Sequence, residues 1–291
     1  MDFAWSPDGR RIVLVVNRAG NAALHLIDTA GGDLSVLREG GGWHARPQWA
    51  PDGKWLTVEF ESPITPPDIY RLDLAGDRLA GETRLTESRT PALQSAGLVT
   101  PQIVRYPSSD GTVITGFLYR PTRASAANRR PPIVYPHGGP ADSWALVWSL
   151  RLQWLVAKGY AVLAPDYRGS TGHGQEFQRA LYGAWGRVDT EDVLAADYLA
   201  SLDWIDGSRL GVFGTSYGAY LAVLALARDP NIATAARRPS TETRTSGAPG
   251  RRGTGWAVRT WSGRWGILRT MQTPIGTVLP SSTWPGSIGL C

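Results

Sequence analysis

The sequence predicts a mixed α/β protein in which a mostly parallel sheet follows a set of short antiparallel strands. Two observations carry this prediction. Between residues 95 and 232, short apolar runs alternate with helical patterns, as they do when helices connect parallel strands. In residues 1–94, a pattern of strand, tight turn and strand occurs twice at a fixed offset.

Composition limits the classes of protein to which the chain can belong. It has 291 residues, 42% of them hydrophobic and 19% charged, as in ordinary globular proteins. The only cysteine is Cys291, so no disulfide can form within the chain, and we expect a cytoplasmic protein. Its apolar runs are too short to span a bilayer and no signal peptide follows Met1, so we expect no membrane partner.

The net charge of +5 is unevenly distributed along the chain. Residues 233–291 contain eight arginines and one acid, Glu242, whereas the preceding 232 residues carry a net charge of −2. The excess positive charge therefore lies in one tail, and no recognisable module for reading bases accompanies it. We expect no nucleic-acid partner.

The first 94 residues contain an internal repeat with an offset of 44. The stretch FAWSPDGRRI at 3–12 recurs as PQWAPDGKWL at 47–56, and the Pro-Asp-Gly in each copy favours a tight type I turn. A period of 40 to 45 residues with several short strands is typical of a propeller blade. We predict a partial β-propeller of about two blades over residues 1–94, and we expect further blades before Met1. The alternative is an ordinary β-meander.

The elements of the predicted parallel sheet follow in residues 95–232. Strands are predicted at 112–119, 132–135, 160–164 and 209–213, and helices at 189–202 and 217–228. The alternation of strand and helix predicts one α/β unit over this range.

The stretch Gly214-Thr215-Ser216-Tyr217-Gly218 joins the last of these strands to the last helix. Gly-x-Ser-x-Gly in this position is the nucleophile elbow of α/β hydrolases, in which the serine has a strained backbone and the glycines leave room for neighbouring backbone. The start of the following helix favours negative charge nearby. We predict that Ser216 is the catalytic nucleophile. An ordinary strand-to-helix turn is the alternative.

A second motif, His137-Gly138-Gly139-Pro140, follows an earlier strand and fits the other half of an oxyanion hole. We predict that the backbone N–H groups of Tyr217 and Gly139 bind the oxyanion, since Pro140 has no N–H. His137 lies at the strand end, and we expect a structural role for it. The alternative for this motif is a plain glycine-rich turn.

Taken together, these motifs resemble one known family. The blade repeats, YPHGGP at 135–140, DYRGSTGHG at 166–174 and GTSYGAY at 214–220 occur in the order seen in the prolyl oligopeptidase family of serine peptidases, and most resemble its acylaminoacyl-peptidase and dipeptidyl-peptidase-like branch. The resemblance implies a β-propeller covering an α/β-hydrolase domain that cleaves short peptides. It also implies an Asp and then a His after Ser216.

Neither of those partners is found after Ser216. The only acids there are Asp229, at the predicted end of the elbow helix, and Glu242. The four histidines all precede Ser216; they are His25, His44, His137 and His173. A serine hydroxyl without a base is a poor nucleophile, so we expect impaired activity. His173 is the one candidate for a substitute base, although we expect it to lack an acid partner. Arg168 either orients a substrate carbonyl or forms a structural ion pair.

Residues 233–291 fit neither pattern and are predicted to be an aberrant, poorly ordered tail. Their arginine-, glycine- and proline-rich composition suggests a coding sequence continued in the wrong frame; a genuine extension is the alternative. The fold class is therefore an incomplete α/β-hydrolase domain preceded by the last blades of a β-propeller. Its sheet is expected to have an exposed edge beyond the Ser216 strand.

The predicted function is that of a serine-type peptidase acting on short peptides by acyl transfer through Ser216. The alternatives are an inactive remnant or peptide-binding fragment, and a carboxylesterase on the same fold. We expect neither a metal nor an organic cofactor.

Overall fold

The computed structural model describes residues 2–232, except for the side chain of Ala196, together with the backbone of three later strands. The rest of the predicted aberrant tail lies outside the described residues. The strands are β1 (Phe3–Trp5), β2 (Arg11–Arg18), β3 (Asn21–Asp28), β4 (Leu34–Arg38), β5 (Trp43–Trp49), β6 (Trp55–Ser62), β7 (Thr65–Ala75), β8 (Arg78–Arg84), β9 (Gln102–Pro107), β10 (Val113–Tyr119), β11 (Pro132–Val134), β12 (Ala161–Asp166), β13 (Gly211–Thr215), β14 (Thr234–Arg238), β15 (Ala257–Ser262) and β16 (Ile267–Thr270). The helices are α1 (Pro91–Gln94), α2 (Leu150–Ala157), α3 (Gln175–Arg179), α4 (Val188–Val193), α5 (Ala196–Ala200) and α6 (Tyr217–Arg228).

Strands β1 to β8 form the first sheet, and the repeat predicted in this region is confirmed as strand, tight turn and strand. In each copy, the strand before the Pro-Asp-Gly turn pairs antiparallel with the strand after it. The two copies are also joined through side chains. Trp49 of the second copy donates its indole N–H to the carbonyl of Ala4 in the first (3.1 Å), and Arg11 lies over the Trp49 ring. The two copies of the repeat therefore contact each other directly through Trp49.

The second sheet has the strand order β16-β15-β14-β13-β11-β12-β10-β9. Strands β12, β11, β13 and β14 run parallel, as the sequence predicts for the centre of this sheet. The expectation of an exposed edge beyond the Ser216 strand is wrong, because β14 pairs with β13 along its whole length. Strand β13 therefore has a paired neighbour on each side, β11 along Gly211–Val212 and β14 along Gly211–Thr215.

One predicted helix is interrupted. In place of a continuous helix over 189–202, α4 ends at Val193 and α5 begins at Ala196. The N–H of Ala195 bonds to the carbonyl of Val193 (2.8 Å), and the carbonyl of Asp192 accepts the hydroxyl of Tyr106 (2.7 Å). A distant tyrosine thus takes up a carbonyl that a continuous helix would use internally, and the helical bonding pattern stops here.

The two sheets are connected by hydrogen bonds close to the HGGP loop. Leu146 N–H bonds to the carbonyl of Gly20 and Trp148 N–H to the carboxylate of Glu61, each at 2.8 Å. The Gln153 amide donates to the carbonyl of Pro63 at the same distance. The first sheet therefore holds the segment that leads from the HGGP loop into α2. No helix among the described residues is long and apolar enough to cross a membrane.

Candidate active site

Ser216 lies in the sharp turn between β13 and α6, where the sequence predicts a nucleophile. Its backbone is in a left-handed conformation (φ 55°, ψ −123°), which is strained for a residue with a Cβ, and its side chain is exposed. The turn is possible only because its flanking residues are glycines. A Cβ on Gly214 would lie 2.1 Å from the carbonyl oxygen of Gly218, and a Cβ on Gly218 would lie 2.2 Å from that of Pro136.

The HGGP loop lies directly against this turn. A Cβ on Gly138 would be 3.6 Å from the Cβ of Ser216 and 3.4 Å from the carbonyl oxygen of Thr215. Gly139 has a φ of 124°, a conformation that glycine adopts readily. The structure therefore brings together the two segments that carry the predicted oxyanion donors, Tyr217 and Gly139. The use of these two N–H groups in catalysis remains a prediction.

The side chain of Tyr217 points away from the solvent and is fixed at its far end. Its hydroxyl donates to a carboxylate oxygen of Asp189 at 2.5 Å, and Asp189 is fully buried. Burial and this neighbouring carboxylate raise the pKa of the Tyr217 phenol. The rings of Trp185 and Tyr220 each lie 5.4 Å from the Tyr217 ring.

The position of His137 agrees with the expected structural role. The ring is buried, stacks on Tyr167 at 4.3 Å, and has its nitrogens 2.6 Å from the carbonyl of Gly138 and 2.8 Å from the hydroxyl of Ser170. Burial lowers the pKa of His137, which favours the neutral ring. Both nitrogens have partners within the loop framework, so His137 supports the HGGP loop.

His173 does have an acid partner, contrary to expectation. Its Nε2 lies 2.8 Å from the carboxylate of Asp166, the last residue of β12. Because β11 lies between β12 and β13, Asp166 is two strands, about 10 Å, from the end of the Ser216 strand. This strand order favours a structural role for His173 over that of a substitute base.

Arg168 forms the structural ion pair that was one of its two expected roles. Its guanidinium bonds to both carboxylate oxygens of Asp192 (2.7 to 3.1 Å), and it also contacts Asp110. Both Arg168 and Asp192 are buried. The hydrogen bonds to Asp192 raise the pKa of Arg168, while hydrogen bonds from Thr112, together with the one from Arg168, hold the pKa of Asp110 at about 2. The Arg168 guanidinium thus links the end of β12 to α4.

The described residues bring together the parts that the sequence predicts for binding a carbonyl group. These parts are an exposed serine, a nearby glycine-rich loop and the N-terminus of α6. Within residues 2–232, no histidine or carboxylate forms a hydrogen bond with the Ser216 hydroxyl. The geometry therefore places an exposed serine beside a glycine-rich loop and a helix N-terminus, and no base is bonded to the serine among residues 2–232.

Sequence reasoning missed Asp189 as a residue of this site. It placed Asp189 only at the start of the helix predicted over residues 189–202. The available signal was the spacing of Asp189 and Asp192, which at i and i+3 lie on the same helix face as the apolar Val193. Acids on the buried face of a helix need specific partners, and here these are Tyr217 and Arg168.

Comparisons with known proteins identify peptidases that are similar in sequence to this chain. The sequence profile of the prolyl oligopeptidase family (peptidase S9) matches residues 146–248. The chain is 33% identical over 174 residues to the Bacillus subtilis protein named uncharacterized peptidase YuxL, covering 59% of this chain and 26% of that protein. It is 29% identical over 225 residues to the acylamino-acid-releasing enzyme of Sus scrofa, covering 75% and 31%.

A solved structure of a puromycin hydrolase is similar in fold and sequence. It superimposes with a TM-score of 0.67 at 28% identity, covering 80% of this chain and 35% of the hydrolase. The chain thus spans between about a quarter and a third of the length of these relatives. These matches, together with the Ser216 turn and the adjoining HGGP loop, show that the chain is similar to the prolyl oligopeptidase family of serine peptidases, whose profile matches residues 146–248.

Proposed function

We propose that Ser216 is the nucleophile position of a peptidase that cleaves short peptides by acyl transfer, and that the 291-residue chain is impaired in this reaction. The observation that carries the proposal is the strained Ser216 turn, which fits only because residues 214 and 218 are glycines. Further support comes from the HGGP loop lying against it. The relatives named for release of acylated amino acids and for puromycin hydrolysis suggest short substrates with an amide bond next to one amino acid.

In the proposed reaction, Ser216 Oγ attacks the carbonyl carbon of the scissile amide. The Oγ–C bond forms, the hydroxyl proton passes to a base, and the carbonyl oxygen becomes an oxyanion bound by the N–H groups of Tyr217 and Gly139. The C–N bond then breaks and the amine leaves with a proton. Water releases the acyl group from Ser216 by the reverse sequence of bond changes.

We attribute the impairment to the transfer of the Ser216 hydroxyl proton, because this step needs a base. No histidine follows Ser216 in the sequence, and His173 is held by Asp166. A serine peptidase that has lost a triad member still accelerates the reaction by about 10³–10⁴-fold over the reaction in water, because substrate binding and the oxyanion hole remain. Imidazole added to the buffer can take the place of such a base, because it is the side-chain group that the triad histidine normally supplies.

We also propose that the chain divides after residues 94 and 232. The three parts are two propeller blades, the N-terminal part of an α/β-hydrolase domain and an aberrant tail. We further propose that the protein is cytoplasmic. Translating the gene beyond codon 232 in the other two frames tests the origin of the tail. An Asp followed by a His within an α/β pattern in one of those frames is the expected result.

A fluorophosphonate probe tests the site itself. The purified chain is treated with the probe, with and without imidazole, and the labelled peptide is identified by mass spectrometry. We expect slow labelling of Ser216 that imidazole accelerates, no labelling of Ser216→Ala, and unchanged labelling of His173→Ala. A wild-type chain that never labels supports the inactive or peptide-binding alternative. Turnover of simple esters with no cleavage of amides supports the carboxylesterase.

A further inference from the structure

Asp189 is a buried carboxylate whose hydrogen bonds, in the described part of the chain, come from uncharged donors. It is fully buried, and no Lys, Arg or His forms an ion pair with it in the part of the chain that the structure describes. Its three hydrogen-bond donors are the Tyr217 hydroxyl (2.5 Å), the Thr190 N–H (2.9 Å) and the Gly186 N–H (3.2 Å). Burying a carboxylate is costly, and hydrogen bonds to the charged form offset that cost.

Of these three donors, only Tyr217 lies on another element of the fold. Thr190 and Gly186 are within four residues of Asp189 along the chain, whereas Tyr217 is the first residue of α6 and follows Ser216 directly. The bond therefore joins α4 to the turn that carries the nucleophile. The Tyr217 ring is also packed between Trp185 and Tyr220, so both its position and its rotation are restricted.

The peptide group between Ser216 and Tyr217 carries the N–H that the proposed function assigns to the oxyanion. Ser216 has a strained backbone conformation, and such a residue keeps it only when its neighbours hold it. On the side of α6, the carbonyl of Ser216 accepts the N–H groups of Ala219 (2.9 Å) and Tyr220 (3.2 Å). On the side of α4, the Tyr217 side chain is held by the bond to Asp189 and by the ring contact with Trp185.

We propose that Asp189 is a positioning residue of the active site, which anchors Tyr217 through its hydroxyl and so keeps the Tyr217 N–H directed at the oxyanion. This inference rests on the proposed function for the purpose of the N–H, but the anchoring itself can be measured without activity. Asp189 acts only through Tyr217 and touches neither the substrate nor Ser216.

The test uses two variants of the full chain. Tyr217→Phe keeps the ring and removes the hydroxyl, and its control is Tyr106→Phe, which removes a buried hydroxyl that bonds to the same helix, at the Asp192 carbonyl. Asp189→Asn removes the charge, and its control is Glu191→Gln on the exposed side of α4. Circular dichroism shows which variants fold. If Asp189→Asn does not fold, the comparison of Tyr217→Phe with its control Tyr106→Phe still tests the proposal.

The first readout is amide exchange at Ala219 and Tyr220, which needs no activity. We expect about tenfold faster exchange at these two amides in Tyr217→Phe and Asp189→Asn than in their controls, because the bonds to the Ser216 carbonyl open more often. Exchange that matches the controls overturns the proposal, whatever the reactivity of the site.

The second readout is the ratio of rates for an oxygen ester and the matching thionoester of an N-acetyl amino acid, with imidazole as the base. Sulfur accepts hydrogen bonds weakly, so a well-placed N–H favours the oxygen ester. We expect this ratio to fall by about tenfold in both variants, because a displaced Tyr217 N–H no longer favours the oxygen ester over the thionoester. A purely structural role lowers both rates together and leaves the ratio unchanged, which also overturns the proposal.

The two readouts separate failure of the inference from failure of the proposed function. If neither ester reacts in any form, wild type included, the proposed function fails. The exchange result then still decides whether Asp189 anchors the turn.

Discussion

The α-carbon of Gly218 lies against the carbonyl of Pro136, so that a Cβ at position 218 would stand 2.2 Å from that oxygen. This contact joins the first turn of α6 to the segment entering the HGGP loop. The close approach of the two segments that carry the predicted oxyanion donors therefore depends on the absence of a methyl group at position 218.

Gly218→Ala is therefore expected to displace the HGGP loop. Overpacking of this kind costs roughly 1–3 kcal/mol of unfolding free energy, and we expect labelling of Ser216 to slow by more than about tenfold because an oxyanion donor moves away. Chemical denaturation and the phosphonylation rate measure the two effects. The control is Ala219→Gly at the next position, which should cost only about 1 kcal/mol and leave labelling largely unchanged. Equal labelling rates in the two variants would contradict this account.

The ion pair of Arg168 and Asp192 is expected to contribute strongly to stability. Because both side chains are buried, Asp192→Asn leaves the Arg168 guanidinium with only the partly exposed Asp110 as an acidic partner among the described residues, and it should lower the free energy of unfolding by about 3 kcal/mol. Glu191→Gln, one residue earlier, breaks the partly exposed pair with Arg228 and should cost about 0–1 kcal/mol. Urea denaturation of both variants checks the contrast, and similar losses in the two would count against the assigned role.

His44 is expected to make stability depend on pH in the acid range. It is fully buried between β5 and β3, where one ring nitrogen lies 2.5 Å from the Ala22 carbonyl and the other contacts the Arg38 guanidinium, and burial lowers its pKa to about 4. The unfolded state, with a pKa near 6.5, then binds more protons between pH 4 and 6.5. Stability should therefore fall as the pH drops through this window, by roughly 3 kcal/mol in all.

His44→Gln isolates this contribution from that of the carboxylates. The variant should lose the extra pH dependence between pH 6.5 and 4 while keeping whatever slope the other groups cause. Denaturation midpoints at half-unit pH intervals give both slopes. Parallel curves for the two proteins would show that His44 is not the group that titrates.

Glu61 is expected to have the opposite pH dependence. Burial raises the pKa of this carboxyl, which accepts the Trp148 N–H across the contact between the two sheets. Its charged form is therefore disfavoured in the folded state, and stability from this group declines as the pH rises above 4.5. Glu61→Gln keeps an acceptor for Trp148 and should raise the melting temperature slightly at pH 7, with no gain at pH 4. A loss at pH 7 would contradict this prediction.

The parts of the site that sequence predicted are those encoded locally. The Ser216 turn is specified by two glycines within five residues, and the fold requires each of them for a close backbone approach. The bond from Tyr217 to Asp189 joins residues 28 positions apart, and the break after α4 depends on Tyr106, 86 positions from Asp192. No local pattern encodes such pairings, because each is decided by how distant elements pack.

The acid partner of His173 escaped prediction for a different reason. Asp166 is only seven residues away, but the loop between them folds back so that the imidazole meets the end of β12. Sequence spacing alone does not show whether a glycine-rich loop closes on its own strand or extends toward a neighbouring one.

The imidazole dependence of Ser216 phosphonylation tests the central claim most directly, namely that Ser216 is a nucleophile position whose base is missing. The rate of adduct formation at Ser216 is measured by intact-mass spectrometry over a range of imidazole concentrations at constant pH and ionic strength. We predict a low rate without imidazole, a rise proportional to the free base, and no adduct in Ser216→Ala. Rapid labelling independent of imidazole, or no adduct at any concentration, would contradict the account.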